Sequence, residues 1–430
     1  MRSSTTMFDT RTAELMRLAP SMPGLNADDL PKTLTRHYAR LVSNRLAGAA
    51  DQPGEEDEWP VDRIADVYEI VASLEAKPEL RRAAAFVAGT AQQIIARRAR
   101  AASVPLATQL IDRDGVDASV AASLLFLAAE QYADANEAGG AIVIPQAGLT
   151  EARELGRHVR DLVRGNLGAI LERRDSSVER RRAPPKDGRL QRSALRAMLS
   201  ALGQGVEHLA AHLLAGADEE AHLSAATAAF KQVLALSSQV GSVPLMLASK
   251  REGVEAPLVT RYLGPAHLAS LLLLAAGGIA EAALTRLPAP AGADGDFWER
   301  WLRFRADQTP YVWRNHREAI AREFHLPGKS AVLVLPTGAG KTTVSVLKIA
   351  GTLARGKKVV FLAPTHALVD QLTDDLQALF PADQFALQVS GDFDSLLLDD
   401  AQLKDIEVMT PERCLAMLSF APEAFAQGFC

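Results

Sequence analysis

The sequence predicts a chain of two textures, a large and mostly α-helical N-terminal region followed by a parallel α/β sheet at the C-terminus. Three observations carry that prediction. Up to about residue 287, alanine, leucine, arginine and glutamate dominate and apolar residues recur at helical spacing. Residues 288–296 then form a proline- and glycine-rich break. Beyond the break, four short β-rich runs (331–335, 359–362, 385–389 and 406–409) alternate with helical patterns, which implies parallel strands joined by helical crossovers.

The helical half reads as an accessory domain over 1–180 and a second helical segment over 181–287. The linker is 288–296, and the α/β part runs over 297–430. Val61–Leu74 illustrates the periodicity: Ile64, Val67, Ile70, Val71 and Leu74 are expected on one face. Residues 141–144 are a candidate short strand in this otherwise helical stretch. An acidic loop at 51–58 and a basic loop at 180–189, with a Pro-Pro stop, interrupt the helices. No fixed-period repeat is evident.

Bulk properties exclude several classes. At 430 residues, 48% hydrophobic and 23% charged, the chain has the make-up of an ordinary globular protein. A formal net charge of −5 argues against a purely electrostatic nucleic-acid coat, while leaving room for a locally positive groove. Its two cysteines, Cys414 and Cys430, are too few for a disulfide scaffold, and no Cys/His cluster has zinc spacing. A reducing cytoplasm is the expected setting. The N-terminus lacks the apolar core of a signal peptide. The most apolar stretch, 268–280, is broken by Gly277-Gly278 and is read as a buried helix, so no membrane partner is expected.

The strongest chemical signal follows the first C-terminal run. The apolar residues 331–335 are expected as a buried strand emptying into Pro336-Thr337-Gly338-Ala339-Gly340, with a helix starting at Lys341 and continuing through Thr342 and Thr343. Gly338 and Gly340 permit turns closed to other residues, and their N–H groups can approach phosphate oxygens. The helix start adds partial positive charge. Lys341 has the reach for β/γ-phosphates, and the Thr342 hydroxyl suits magnesium. The strict phosphate-loop pattern fails at its first position, Leu335; the competing reading is a chance Gly-Lys-Thr turn.

Two further turns open helices after later runs. Ala363-Pro364-Thr365-His366 offers a threonine hydroxyl and free helix-start N–H groups, chemistry that suits a phosphodiester; plain N-capping by Thr365 explains it equally well. Thr410-Pro411-Glu412-Arg413 combines an N-cap, a proline at the first helical position and an acid in the first turn. Ser390-Gly391-Asp392 lies between them.

Taken in order from Trp313 onward, these elements resemble the first RecA-like lobe of superfamily two helicases of the DEAD/DEAH-box type. The resemblance implies ATP and magnesium as cofactors and DNA or RNA as partner. It implies that Pro336, Thr337, Gly338, Ala339, Gly340, Lys341, Thr342 and Thr343 hold the nucleotide, with Lys341 and Thr342 catalytic. The nucleic-acid backbone would lie near Pro364, Thr365, His366, Gly391, Thr410, Pro411 and Glu412. His316 stands where the family places an adenine-reading glutamine, so adenine selectivity is in question, and a plain helix histidine is the competing reading. The family's Asp-Glu pair and second lobe are not found before Cys430. The expectation is therefore the front part of a motor, binding ATP weakly without efficient hydrolysis or unwinding. The alternative is a helical scaffold or assembly protein with a degenerate, non-hydrolysing lobe. In either case the helical region offers surface for protein partners.

Other constellations read more simply. Asp218-Glu219-Glu220-Ala221-His222 matches a DEAH box by letters, but it precedes the phosphate loop and follows a helix. Phe297, Trp301 and Phe304 share a helical face, which favours packing on the sheet over stacking of bases. The arginine-rich stretch 173–192 is interspersed with acids and is read as a solvated helix end. His208 and His212 share a face, but no third ligand has a trusted spacing.

Overall fold

The computed structural model describes residues 7–47, 58–101, 111, 113–144, 146, 148–177, 190–215, 221–245, 254–334, 340–391, 403–420 and 422–426. The chain divides into two compact units, Met1–Ala283 and Leu284–Cys430.

In the first unit, helices run as α1 (Thr10–Arg17), α2 (Leu30–Leu46), α3 (Val61–Leu74), α4 (Pro78–Ala101), α5 (Ala118–Ala128), α6 (Tyr132–Gly140), α7 (Thr150–Arg164), α8 (Leu167–Ser177), α9 (Leu190–Leu214) and α10 (Ala221–Leu236). After β1 (Ser238–Leu245) and β2 (Val254–Arg261) comes α11 (Leu263–Ile279). The core is built around α4 and α5, which pack on each other and respectively on α3 and on α6 and α11. Both are apolar on every side over their middle turns. Ala83, Ala84, Ala85, Val87 and Ala88 of α4 are sealed, as is every residue from Ser119 to Ala128 of α5. Such helices are held by burial rather than by amphipathicity. Each fully buried leucine or valine contributes about 1.5–3 kcal/mol relative to exposure.

Helix α3 spans the expected residues, but its inner face differs from the expected one. Val61, Ile64, Ala65, Tyr68 and Ala72 are buried, whereas Ile70 and Leu74 are exposed. The anchor is Tyr68, whose ring is sealed and whose hydroxyl donates to the Pro20 carbonyl at 2.8 Å. An amphipathic tyrosine that buries its body and still finds a partner outcompetes an aliphatic at the helix end. Burial pushes its phenol up to about 12.

Residues 141–144 do not form a strand. Ala141 ends α6, and the Ile142 N–H donates to the Gly139 carbonyl, so the chain finishes the helix instead of pairing. Nor is the region helical throughout: β1 and β2 pair antiparallel from Ser238↔Arg261 to Leu245↔Val254. Pro244, Pro257 and Gly241 lie inside these strands, and residues of that kind obscure a strand pattern in sequence. The compact unit Met1–Ala283 takes in both expected helical segments, 1–180 and most of 181–287. The acidic loop at 51–57 and the basic loop at 180–189 lie outside the described residues. The apolar segment Leu263–Ala282 is long and apolar enough to cross a bilayer, yet half of it is buried within this unit. Its α11 packs on α5 and α10 as a core helix.

The second unit comprises α12 (Gly295–Ala306), α13 (Arg314–Ala321), α14 (Lys341–Leu353), β3 (Val359–Leu362), α15 (His366–Leu379), α16 (Ala382–Phe385), β4 (Val389–Ser390), β5 (Ile406–Met409), α17 (Pro411–Phe420) and α18 (Pro422–Ala426). Among the described residues three strands lie in the order β3-β5-β4 and all pairs are parallel. The expected runs at 359–362 and 406–409 are strands over those spans. The other two expectations need correction.

Residues 331–334 form no strand. Val332 is 90% exposed and Val334 is 85% exposed. A run that is apolar on both faces is stable as a strand only between hydrogen-bonding neighbours and under helical cover. Among the described residues no strand pairs with it. The 385–389 run is mostly not a strand either. Phe385 closes the short α16, Ala386 adopts a left-handed backbone (φ 55°), and pairing begins only at Val389. The cause is Phe385, whose ring is buried edge-on against both Phe297 and Phe304 at 5.7 and 5.5 Å.

That contact settles the role of the aromatic helix α12. Trp301 stacks on Phe380 at 5.6 Å with planes 10° apart, and its Nε1 donates to the Leu379 carbonyl. Trp298 Nε1 donates to the Leu287 carbonyl. These rings are core, not a base-stacking platform. Residues 288–296 are likewise built into this unit, with the Asp294 N–H donating to the Ala354 carbonyl at 2.6 Å and the Asp294 carboxylate capping α12.

Candidate functional site

Site geometry begins at Gly340, because Pro336, Thr337, Gly338 and Ala339 lie outside the described residues. Gly340 is the N-cap of α14, in the left-handed region at φ 76°, and no side chain caps the helix. Lys341, Thr342 and Thr343 form the first turn and are exposed. Behind them, Val344, Val346, Leu347, Ile349 and Ala350 are buried, and α14 packs on β3. The sequence thus anchors one face of the helix and leaves its N-terminal turn open, with positive partial charge and a lysine on the same end. That arrangement fits a polyphosphate: Lys341 would meet phosphate oxygens and Thr342 would ligate magnesium.

His316 lies beside this turn. Its ring is buried and stacks on Trp313 at 5.5 Å, with planes 8° apart. A Cβ placed on Gly340 would come within 2.3 Å of His316 Nε2. Glycine is therefore required at 340 twice over, once for its φ and once because the imidazole lies against its α-carbon. His316 is thus packed between Trp313 and Gly340. The spacing of three between Trp313 and His316 at a helix start is the sequence signal for this stack.

Nearby, Lys348 Nζ donates to the Lys329 carbonyl at 2.6 Å and lies over the Phe324 ring. Burial lowers the Lys348 pKa, and burial also lowers that of His325, against an opposing pull from Glu323. These groups hold the approach to 331–334 and had no sequence signature.

The predicted backbone-contacting turns converge at the carboxyl edge of the sheet. Leu362 pairs with Met409 and Ser390 with Glu407, so Ala363, Thr410 and Gly391 leave adjacent parallel strands at the same edge. Neighbouring strands lie about 4.8 Å apart. Pro364, Thr365 and His366 are exposed there. Thr365 caps α15, its hydroxyl accepting from the Leu368 N–H at 3.4 Å. Thr410 is buried and its hydroxyl accepts from the Arg413 N–H at 3.3 Å, starting α17 at Pro411 with Glu412 exposed. The two capping hydroxyls serve their own helices, and the two helix N-termini both point at this edge. Gly391 faces inward, and a Cβ there would meet Thr373 Oγ1 at 2.8 Å. It therefore serves close packing on α15. The crevice outside the carboxyl ends of parallel strands is where open α/β sheets bind ligands.

In the first unit, His208 Nδ1 lies 3.3 Å from His222 Nδ1, and His212 is fully buried. Burial and the neighbouring His222 lower the His208 pKa. Among the described residues no group of three or more His, Cys, Asp or Glu is arranged to hold a metal. Of the DEAH-like letters, residues 218–220 lie outside the described residues and Ala221-His222 begin α10.

No curated protein matches the chain. A family model does, and its span opens with α13, where His316 lies, crosses the phosphate turn and includes all three edge turns. Residues 314–427 match the family model described as DEAD/DEAH box helicase.

Proposed function

We propose that the second unit is the nucleotide-binding lobe of an ATP-dependent helicase or translocase acting on DNA or RNA. The observation that carries this reading is the pairing, in one small unit, of an open phosphate-type turn at Gly340–Lys341–Thr342 with three strand ends converging on one sheet edge. Lys341 would neutralise the triphosphate, Thr342 would hold magnesium, and ATP supplies the phosphoryl chemistry when bound. His316 would hold Gly340 in place, not read the base. Thr365 and Thr410, having given their hydroxyls to their helices, would leave helix-start N–H groups such as those of Ala367 and Glu412 to meet a phosphodiester, Pro411 having none to offer. Mg·ATP and nucleic acid would then occupy neighbouring parts of one lobe.

The test is binding of fluorescent single-stranded DNA and RNA to the 430-residue chain, with and without Mg·ATP. The proposal expects measurable affinity that falls with salt and changes when Mg·ATP is added. Affinity insensitive to both Mg·ATP and a Pro364→Ala/Thr365→Ala change would contradict it. A second reading, a helical scaffold whose lobe binds but does not hydrolyse nucleotide, is favoured by one observation: 331–334 stands exposed outside the sheet. Since neither reading expects efficient hydrolysis from this chain, nucleic-acid affinity that responds to Mg·ATP separates the two: the scaffold reading expects none.

A further inference from the structure

Outside the helicase segment the first unit contains a cleft between α4, α5 and α6, with a volume of about 370 Å³. One wall carries Gln93, Arg97 and Arg100, which fall at i, i+4 and i+7 on α4 and so share a face. The opposite walls are Ala122 of α5 with Ala138 and Gly140 of α6, side chains too small to fill the space. Each guanidinium is anchored by part of its donor set. Arg97 Nη1 donates to the Tyr38 hydroxyl at 3.0 Å and Nη2 to Glu137 Oε1 at 2.7 Å. Arg100 Nη2 donates to the Ala141 carbonyl at 2.5 Å. A guanidinium has five N–H donors, so both retain capacity after these bonds.

The bland interpretation is that two arginines tie α4 to α6. Ties alone do not account for the space beside them, a solvent-open cleft of a size that a small ligand could use. Here small residues on the facing walls keep the cleft open beside the two cations. Glu137 supplies the chemical hint: Arg97 already holds an oxyanion at the rim, and the Glu137 side chain is 63% exposed. Exposed pairs of this kind are weak and displaceable. An anion of higher charge, with oxygens enough for both guanidiniums, would replace it. Two further carboxylates flank the lining residues in sequence: Asp117, which caps α5 through the Ser119 N–H and hydroxyl, and Asp134, one turn before Glu137 on α6.

We propose that this cleft binds the phosphate group of a small phosphate monoester, held between Arg97 and Arg100, with the ester body lying on the alanine wall. The volume falls within the range of small-ligand sites, about 300–1,000 Å³, and exceeds what phosphate alone requires. The test is hydrogen–deuterium exchange on the full chain with inorganic phosphate as probe, against sodium chloride at equal ionic strength. Exchange is read in peptides covering 93–101 and 132–141, so that phosphate captured at the Lys341 turn does not register. The expected result is slowed exchange in both peptides with phosphate only, its loss in Arg97→Ala/Arg100→Ala, and a lower half-saturating concentration in Glu137→Gln. Equal protection by chloride, no protection, or weaker binding in Glu137→Gln overturns the proposal. So does protection by a single-stranded oligonucleotide but not by phosphate, which would make the cleft a nucleic-acid contact. The Glu137→Gln variant keeps the test decisive if the double variant fails to fold.

Discussion

The two units solve opposite problems with the same vocabulary of helices. The first builds a sealed core, although Leu46, Ile70 and Leu74 stay exposed on its surface: the middle turns of α4 and α5 are buried on all sides, and even a tyrosine is drawn inside with its hydroxyl satisfied. The second leaves apolar surface uncovered, at Val332 and Val334 and along α17, where Leu415, Leu418 and Phe420 are exposed. It also leaves polar helix starts open at Lys341 and Thr365. Sealing gives stability without announcing chemistry, whereas open helix N-termini beside strand ends announce chemistry while taking little part in the core.

The sharpest break of this contrast is at Trp301, the point where the second unit does have a dense core. Trp301→Ala removes the stack on Phe380 and should cost about 3–5 kcal/mol. In a thermal melt the second unit should then unfold well below the first. A loss under about 1 kcal/mol would mean that α12 is not integral to the unit.

Next in size is Gly340→Ala. Left-handed backbone at a non-glycine residue costs about 1–2 kcal/mol, and the new methyl also overlaps the His316 ring. A double-mutant cycle with His316→Ala should show coupling, the glycine substitution costing less once the ring is gone. Strict additivity would mean that His316 does not bear on the turn.

The smallest effect lies in the sealed unit. Tyr68→Phe deletes the bond to Pro20 and should cost about 1 kcal/mol. The folded-state phenol, raised from 10.0 to about 12, favours the neutral form. Its contribution is therefore whole below pH 10 and lost as pH rises through about 12. The alkaline limb of a stability–pH curve should flatten in Tyr68→Phe; an unchanged limb would assign it to other groups.

How much was legible follows the same division. Helix positions in the first unit follow from local periodicity, and α3 spans the expected residues. Its buried face was not readable, because it depends on where Pro20 stands to receive the Tyr68 hydroxyl. In the second unit the parallel strands at 359–362 and 406–409 and the three edge turns were legible from capping chemistry. The expected strand is not formed over 331–334 because a strand exists only with a partner, which no local pattern specifies. His316 was found by position, but its role depends on the Trp313 stack and on contact with a glycine 24 residues later, neither visible in composition.

The most direct test of the account is Mg·ATP binding by the chain and by Lys341→Ala, measured by calorimetry at matched folding. Lys341 is exposed and makes no core contact, so the variant should fold normally while its ATP affinity falls at least about tenfold, a loss of about 1.4 kcal/mol. Equal affinity in the two proteins would contradict the assignment of this turn as the nucleotide site.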